Sequence, residues 1–106
     1  MNTKIYNKLV RDKIPDIIGA QGKRPIIRTL DSDEFSKRLR IKFFEEIQEF
    51  LSNESIEELV DIFEVMLAIL DDHKVPFDVF EKMREEKAEK NGQFKKKIFL
   101  ASVVEK

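Results

Sequence analysis

The sequence predicts an all-α helical bundle that one chain alone does not complete. Three observations carry this expectation. Apolar residues recur at spacings of three and four along two long stretches, and the few glycines and prolines, three of each, fall where helices should begin or end. The second stretch is apolar around well over half of its helical circumference, more than a lone three-helix chain can cover, which predicts at least a dimer.

The elements follow in order. Ile14-Pro15-Asp16-Ile17-Ile18 has Pro in the first turn of a short helix, with Gly19 and Gly22 past its end. Arg24 to Leu30 is β-branched and too short for a helix, so it is expected to be extended, as a small strand. Asp31-Ser32-Asp33 supplies capping oxygens for a helix to about Leu51, whose apolar stripe is Phe35, Leu39, Phe43, Ile47 and Phe50. Ser55 with Glu58 fits a capping box that opens the next helix, which runs to about Leu70. Only Ser52-Asn53-Glu54 lies between the two, which makes them antiparallel neighbours. Pro76-Phe77-Asp78 starts a further helix that ends near Lys90 at Asn91-Gly92. The tail from Phe94 to Val104 is expected to dock as an extended segment. Residues 1–106 thus read as one domain with short extended segments near both termini.

Composition narrows the functional classes. With no cysteine and one histidine, a metal would have to be held by oxygen. A net charge of −1 with interleaved signs argues against binding nucleic acid in bulk. The longest apolar run, Val65 to Leu70, is far short of the roughly 18 residues of a membrane span. No export signal is legible, and the expected location is cytoplasmic. Phosphate-binding glycine loops are lacking too, so phosphate would have to be handled by metal and side chains.

The acids are where chemistry is expected. At 100° per residue Glu46 projects between Phe43 and Phe50, and Glu49 stands one turn on at the edge of that stripe. On the next helix Glu58 falls inside the apolar arc and Asp61 at its border. No basic residue is expected in either stripe to neutralise these acids. A buried carboxylate costs several kcal/mol unless paired or metal-bound, and the oxygen-only donor set selects Mg²⁺, with Mn²⁺ as a substitute. Because Mg²⁺ commonly takes phosphate oxygens, a phosphorylated small molecule is the expected ligand. Glu57, Glu64, Glu85, Glu86 and Glu89 read as surface residues, Lys95-Lys96-Lys97 as a solvated face, and His73 as a loop residue.

These residues also carry a resemblance. Glu45-Glu46-Ile47-Gln48-Glu49 followed by Glu58-Leu59-Val60-Asp61 resembles the EExxE and ExxD signature of the MazG-like all-α nucleoside triphosphate pyrophosphohydrolases. Tyr6-Asn7-Lys8-Leu9-Val10-Arg11-Asp12-Lys13-Ile14-Pro15 resembles the opening of a branch often labelled as related to phosphoribosyl-ATP pyrophosphohydrolase, and Lys87 to Leu100 resembles its K…RGGF…I.L ending. Asn91 and Gln93 depart from the Arg and Gly of that ending, and the eight residues between Glu49 and Glu58 are fewer than in many MazG proteins.

The resemblance implies hydrolysis of a nucleoside triphosphate between the α and β phosphates, releasing monophosphate and pyrophosphate. It implies Glu46, Glu49, Glu58 and Asp61 as Mg²⁺ ligands, Glu45 as a water-orienting or basic residue, and a MazG-like bundle completed as a homodimer or homotetramer. Arg11, Lys13, Arg84 and Lys87 are candidates for binding the triphosphate, whose charge exceeds what one metal offsets. Two rival expectations stand beside this one: a phosphoribosyl-ATP pyrophosphohydrolase, and a helical interaction module without turnover.

Overall fold

The computed structural model describes residues 2–105 and contains four helices: α1 (Ile14–Ala20), α2 (Ser32–Ser52), α3 (Ile56–Asp72) and α4 (Phe77–Asn91). No strand occurs among the described residues. The chain divides into two compact units, Met1–Lys74 and Val75–Lys106.

In the first unit, α1 carries Pro15 in its first turn. The expectation that Gly19 lies past the helix is corrected: Gly19 is inside, and Gly22 ends it. Gly22 takes φ +78°, its N–H donates to the Gly19 carbonyl at 3.0 Å, and the Lys23 N–H donates to Ile18 at 3.3 Å. That reciprocal pair satisfies carbonyls the helix would otherwise orphan, and it needs a left-handed residue at 22. Residues 24–30 are non-helical as expected but form no strand, since no neighbouring segment offers a ladder, and Ile26 and Ile27 are exposed.

Asp31 caps α2 by accepting the Glu34 N–H at 2.9 Å. Arg28, in the segment before, donates two bonds to Glu34, at 3.1 and 2.7 Å. This bidentate pairing holds the Glu34 carboxyl below its ordinary value. At the start of α3, Ser55 accepts the Glu58 N–H at 3.3 Å. The returning half of the capping box is not made, because the Ser55 N–H donates to the Asn53 carbonyl at 2.6 Å instead. Glu58's carboxylate is therefore free to turn elsewhere.

Helices α2 and α3 pack against each other. With only residues 53–55 between them they run antiparallel, and at the far end the Ser36 hydroxyl donates to Asp72 Oδ2 at 2.6 Å. The expected α2 stripe faces inward: Leu39 is buried, and Phe35, Phe43, Ile47 and Phe50 are half-buried. Among the described apolar residues only Leu39 and Val65 are buried. Ile56, Leu59, Val60 and Phe63 of α3, with Ile41, Phe44 and Leu51 of α2, stay exposed.

In the second unit, Pro76 occupies the N-cap of α4 and Gly92, at φ +86°, ends it. Phe77 and Phe80 lie with ring centroids 6.3 Å apart. The tail after Gly92 is neither helix nor strand. The expected docking of that tail is corrected, since Phe94, Ile98, Phe99 and Leu100 are all exposed.

Candidate metal centre

At the end of the α2–α3 pair nearest the loop, the last turns of α2 meet the first turns of α3. Glu46 is 7% exposed, which makes it the one buried charged residue among those described. Glu58 and Asp61, three residues apart on α3, are half-buried. One carboxylate oxygen from each of Glu46, Glu58 and Asp61 lies within 4.8 Å of the other two. Within this cluster Glu46 Oε2 and Glu58 Oε2 are buried without a hydrogen-bond partner.

The countercharges are poorly matched to this crowd. Lys42 Nζ lies 3.2 Å from Glu46 Oε1 and 4.0 Å from Glu45 Oε2. Arg11 donates to Asp61 Oδ1 at 2.8 Å, with both side chains about half exposed. The expectation that no basic residue would reach the stripes is thus corrected at Lys42, and its position was legible. It precedes Glu46 by four residues, on the same helical face, although a lysine N-terminal to its glutamate is the weaker orientation of such a pair. An exposed pair like Arg11–Asp61 contributes about 0–1 kcal/mol, whereas each buried ion costs several kcal/mol. Two cations leave two buried oxygens orphaned.

Glu49 stands one turn beyond Glu46, exposed, and outside the three converging oxygens. It still acts on the cluster. Burial pushes the Glu58 carboxyl above its ordinary value, and the neighbouring carboxylate of Glu49, followed by those of Asp61 and Glu46, pushes the same way. The helices add opposite contributions: Glu58 in the first turn of α3 meets the positive end of its dipole, while Glu49 in the last turn of α2 meets a negative one with no basic residue nearby in that turn.

Beside the cluster opens a cleft of about 550 Å³, lined by Tyr6, Lys8, Glu45, Gln48, Glu49, Ser52, Asn53 and Glu58. Glu45, half-buried, thus borders both Lys42 and the cleft. Of the basic candidates, Arg11 joins the cluster through Asp61, and Lys13 is exposed at the N-cap of α1. Arg84 and Lys87 belong to α4 in the second unit, where Arg84 is paired with Glu81 and Lys87 is exposed. Sequence reasoning did not single out Tyr6, Lys8, Gln48 or Asn53 for a site. Nothing in helical periodicity reports on a cleft built partly from a non-helical opening segment.

Chemically, the cluster offers hard oxygen donors, a surplus of negative charge and two buried oxygens without a hydrogen-bond partner. That donor set fits a divalent cation bound through oxygen. Among the described residues, no helix is long and apolar enough to cross a membrane.

No family model matches the chain, and no solved structure matches it. It is 50% identical over 42 residues to an uncharacterized protein of Mycolicibacterium smegmatis (strain ATCC 700084 / mc(2)155), a stretch covering 40% of this chain and 43% of that protein. The match thus spans less than half the length of either.

Proposed function

We propose that the chain is a MazG-like nucleotide pyrophosphohydrolase that uses Mg²⁺, with Mn²⁺ as a substitute, to cleave a nucleoside triphosphate between the α and β phosphates. The observation that carries this reading is the convergence of Glu46, Glu58 and Asp61 within 4.8 Å, with two buried oxygens left unpartnered, at the edge of an open cleft. Glu46, Glu58 and Asp61, joined by Glu49, would hold the ion. When bound, it would neutralise triphosphate charge and lower the pKa of a water molecule.

The chain's own residues supply the remainder. Glu45, on the cleft wall, orients the attacking water and accepts its proton. A bond forms from the water oxygen to the α-phosphorus, the bond from the α-phosphorus to the oxygen that bridges to the β-phosphate breaks, and pyrophosphate leaves with that oxygen. Lys8 in the cleft and Arg11 beside Asp61 are placed to meet phosphate oxygens. Arg11 would exchange a carboxylate for phosphate once the cluster's charge is offset.

The assembly is proposed to be a homodimer or homotetramer. Its support is the exposed apolar face of α3, where Ile56 is 75% exposed and Val60 57%. A monomer rarely leaves so continuous an apolar stripe in water.

Release of pyrophosphate from a panel of nucleoside triphosphates, with and without Mg²⁺, tests the reading. Mg²⁺-dependent pyrophosphate and monophosphate are the expected products. Orthophosphate as the first product would contradict α–β cleavage. Turnover confined to phosphoribosyl-ATP would favour that narrower activity, and no turnover with any nucleotide would leave a helical interaction module.

A further inference from the structure

We infer that Tyr6 is the base-recognising wall of the cleft, so that the ligand is a base-bearing nucleotide whose ring stacks on Tyr6 while its phosphates point to the acidic cluster. This inference rests on the nucleotide reading above and adds the part of the ligand that the acids do not touch.

The cleft lining combines two kinds of chemistry. Glu45, Glu49 and Glu58 are among the lining residues, and they suit phosphate only through a cation. The remaining lining is Tyr6, Lys8, Gln48, Ser52 and Asn53, an aromatic ring with hydroxyl and carboxamide groups around it. An aromatic face accepts any nucleobase by stacking, and carboxamides carry both a donor and an acceptor for a base edge. A volume of about 550 Å³ falls within the range of small-molecule sites.

Two lysine ammonium groups approach the ring. Lys4 Nζ and Lys8 Nζ lie 5.0 and 5.6 Å from its centroid. An exposed ammonium on a ring is a weaker contact than a stacked base, so a base can displace it. The released ammonium of Lys8 then remains in the cleft, where ligand phosphates need positive charge. Tyr6 itself is 58% exposed, so no burial of its own explains its place.

The chain has one tyrosine and no tryptophan, which makes Tyr6 a spectroscopic probe of its own site. The full chain, labelled with ring-¹³C tyrosine, is titrated with α,β-methylene ATP or α,β-methylene UTP in Mg²⁺, and separately with tripolyphosphate, which has no base. The nucleotides should move the Tyr6 ring resonances upfield, and tripolyphosphate should not. By calorimetry Tyr6→Ala should weaken the nucleotide analogues roughly tenfold and leave tripolyphosphate unchanged, while Tyr6→Phe keeps nucleotide affinity. Ring resonances unmoved at saturation, equal weakening of tripolyphosphate, or no nucleotide binding would each overturn the inference. Pyrophosphate release from natural nucleotides with an unmoved ring would sink this inference and spare the hydrolysis reading. A shifted ring without any release would do the reverse.

Discussion

The two ends of the α2–α3 pair treat their acids in opposite ways. At the end away from the loop, Glu34 is held by two bonds from Arg28 with Arg38 3.6 Å away, and Asp72 accepts the Ser36 hydroxyl. Every one of those acids has a partner in geometry. At the loop end, Glu46, Glu58 and Asp61 converge with Glu49 beside them, Lys42 and Arg11 are the cations that pair with them among the described residues, and two buried oxygens have no partner. Both ends belong to the same pair of helices, so the difference is local to each end. Acids that serve the fold are satisfied within the chain, and acids left unsatisfied at a cost of several kcal/mol call for something the chain does not contain.

The largest expected effect separates the ends by activity. Glu46→Gln, Glu58→Gln or Asp61→Asn should each cut pyrophosphate release by roughly three orders of magnitude, since metal charge stabilises the transition state. Glu34→Gln at the other end, and Glu57→Gln or Glu64→Gln on the exposed side of α3, should cost less than about threefold, because exposed substitutions rarely disturb a site. Equal losses at Glu64 and Glu58 would break the comparison.

A smaller effect concerns Lys42, the internal cation of the crowded end. Lys42→Gln removes the charge 3.2 Å from Glu46, so the metal-free chain should melt lower. Mg²⁺ should then raise its melting temperature by more than it raises the parent's, on the order of 10 °C at a hundredfold excess over Kd. A diminished response would show that Lys42 supports the ion rather than standing in for it.

At the satisfied end, Ser36→Ala removes the hydroxyl that donates to Asp72 and should cost about 1 kcal/mol in urea unfolding. Its Mg²⁺ response should equal the parent's. A changed response would mean that the two ends are coupled.

The smallest effect is on pH, and the ends should differ in sign. Glu58 is raised in the fold by burial and by its acidic neighbours. The metal-free fold therefore binds more protons than the unfolded chain between the ordinary carboxylate pKa and the raised one, and lowering the pH through that window stabilises it. Glu34 is lowered by Arg28. Its contribution is present above the ordinary carboxylate pKa and is lost as pH falls through the lowered value. Melting temperatures across mildly acidic pH should thus rise before they fall, and Glu58→Gln should remove the rise alone.

Much of this was legible in the chain itself. Asp31 and Ser55 as caps, the α2 stripe and the antiparallel turn all follow from local hydrogen bonding and helical periodicity, which short-range sequence encodes directly. The intrusion of Glu46 and Glu58 into apolar surface is legible for the same reason. Glu58's release from the capping box was not, because it depends on Asn53 taking the Ser55 N–H. The strand expected at 24–30 also failed on a non-local ground, since β-branched residues need a neighbouring ladder to pair with. Tyr6 and Arg11 reach the site from a non-helical segment about 50 residues before α3's acids, a distance no periodicity spans.

The most direct measurement is of the ion itself. Mn²⁺ binding to the full chain, followed by loss of the free-ion electron paramagnetic resonance signal with Mg²⁺ as competitor, reads the cluster without requiring turnover. The expected result is saturable binding that Mg²⁺ displaces, lost in Glu46→Gln and kept in Glu34→Gln. Absent binding, or binding equal in both variants, would contradict the assignment of Glu46, Glu58 and Asp61 as a metal centre.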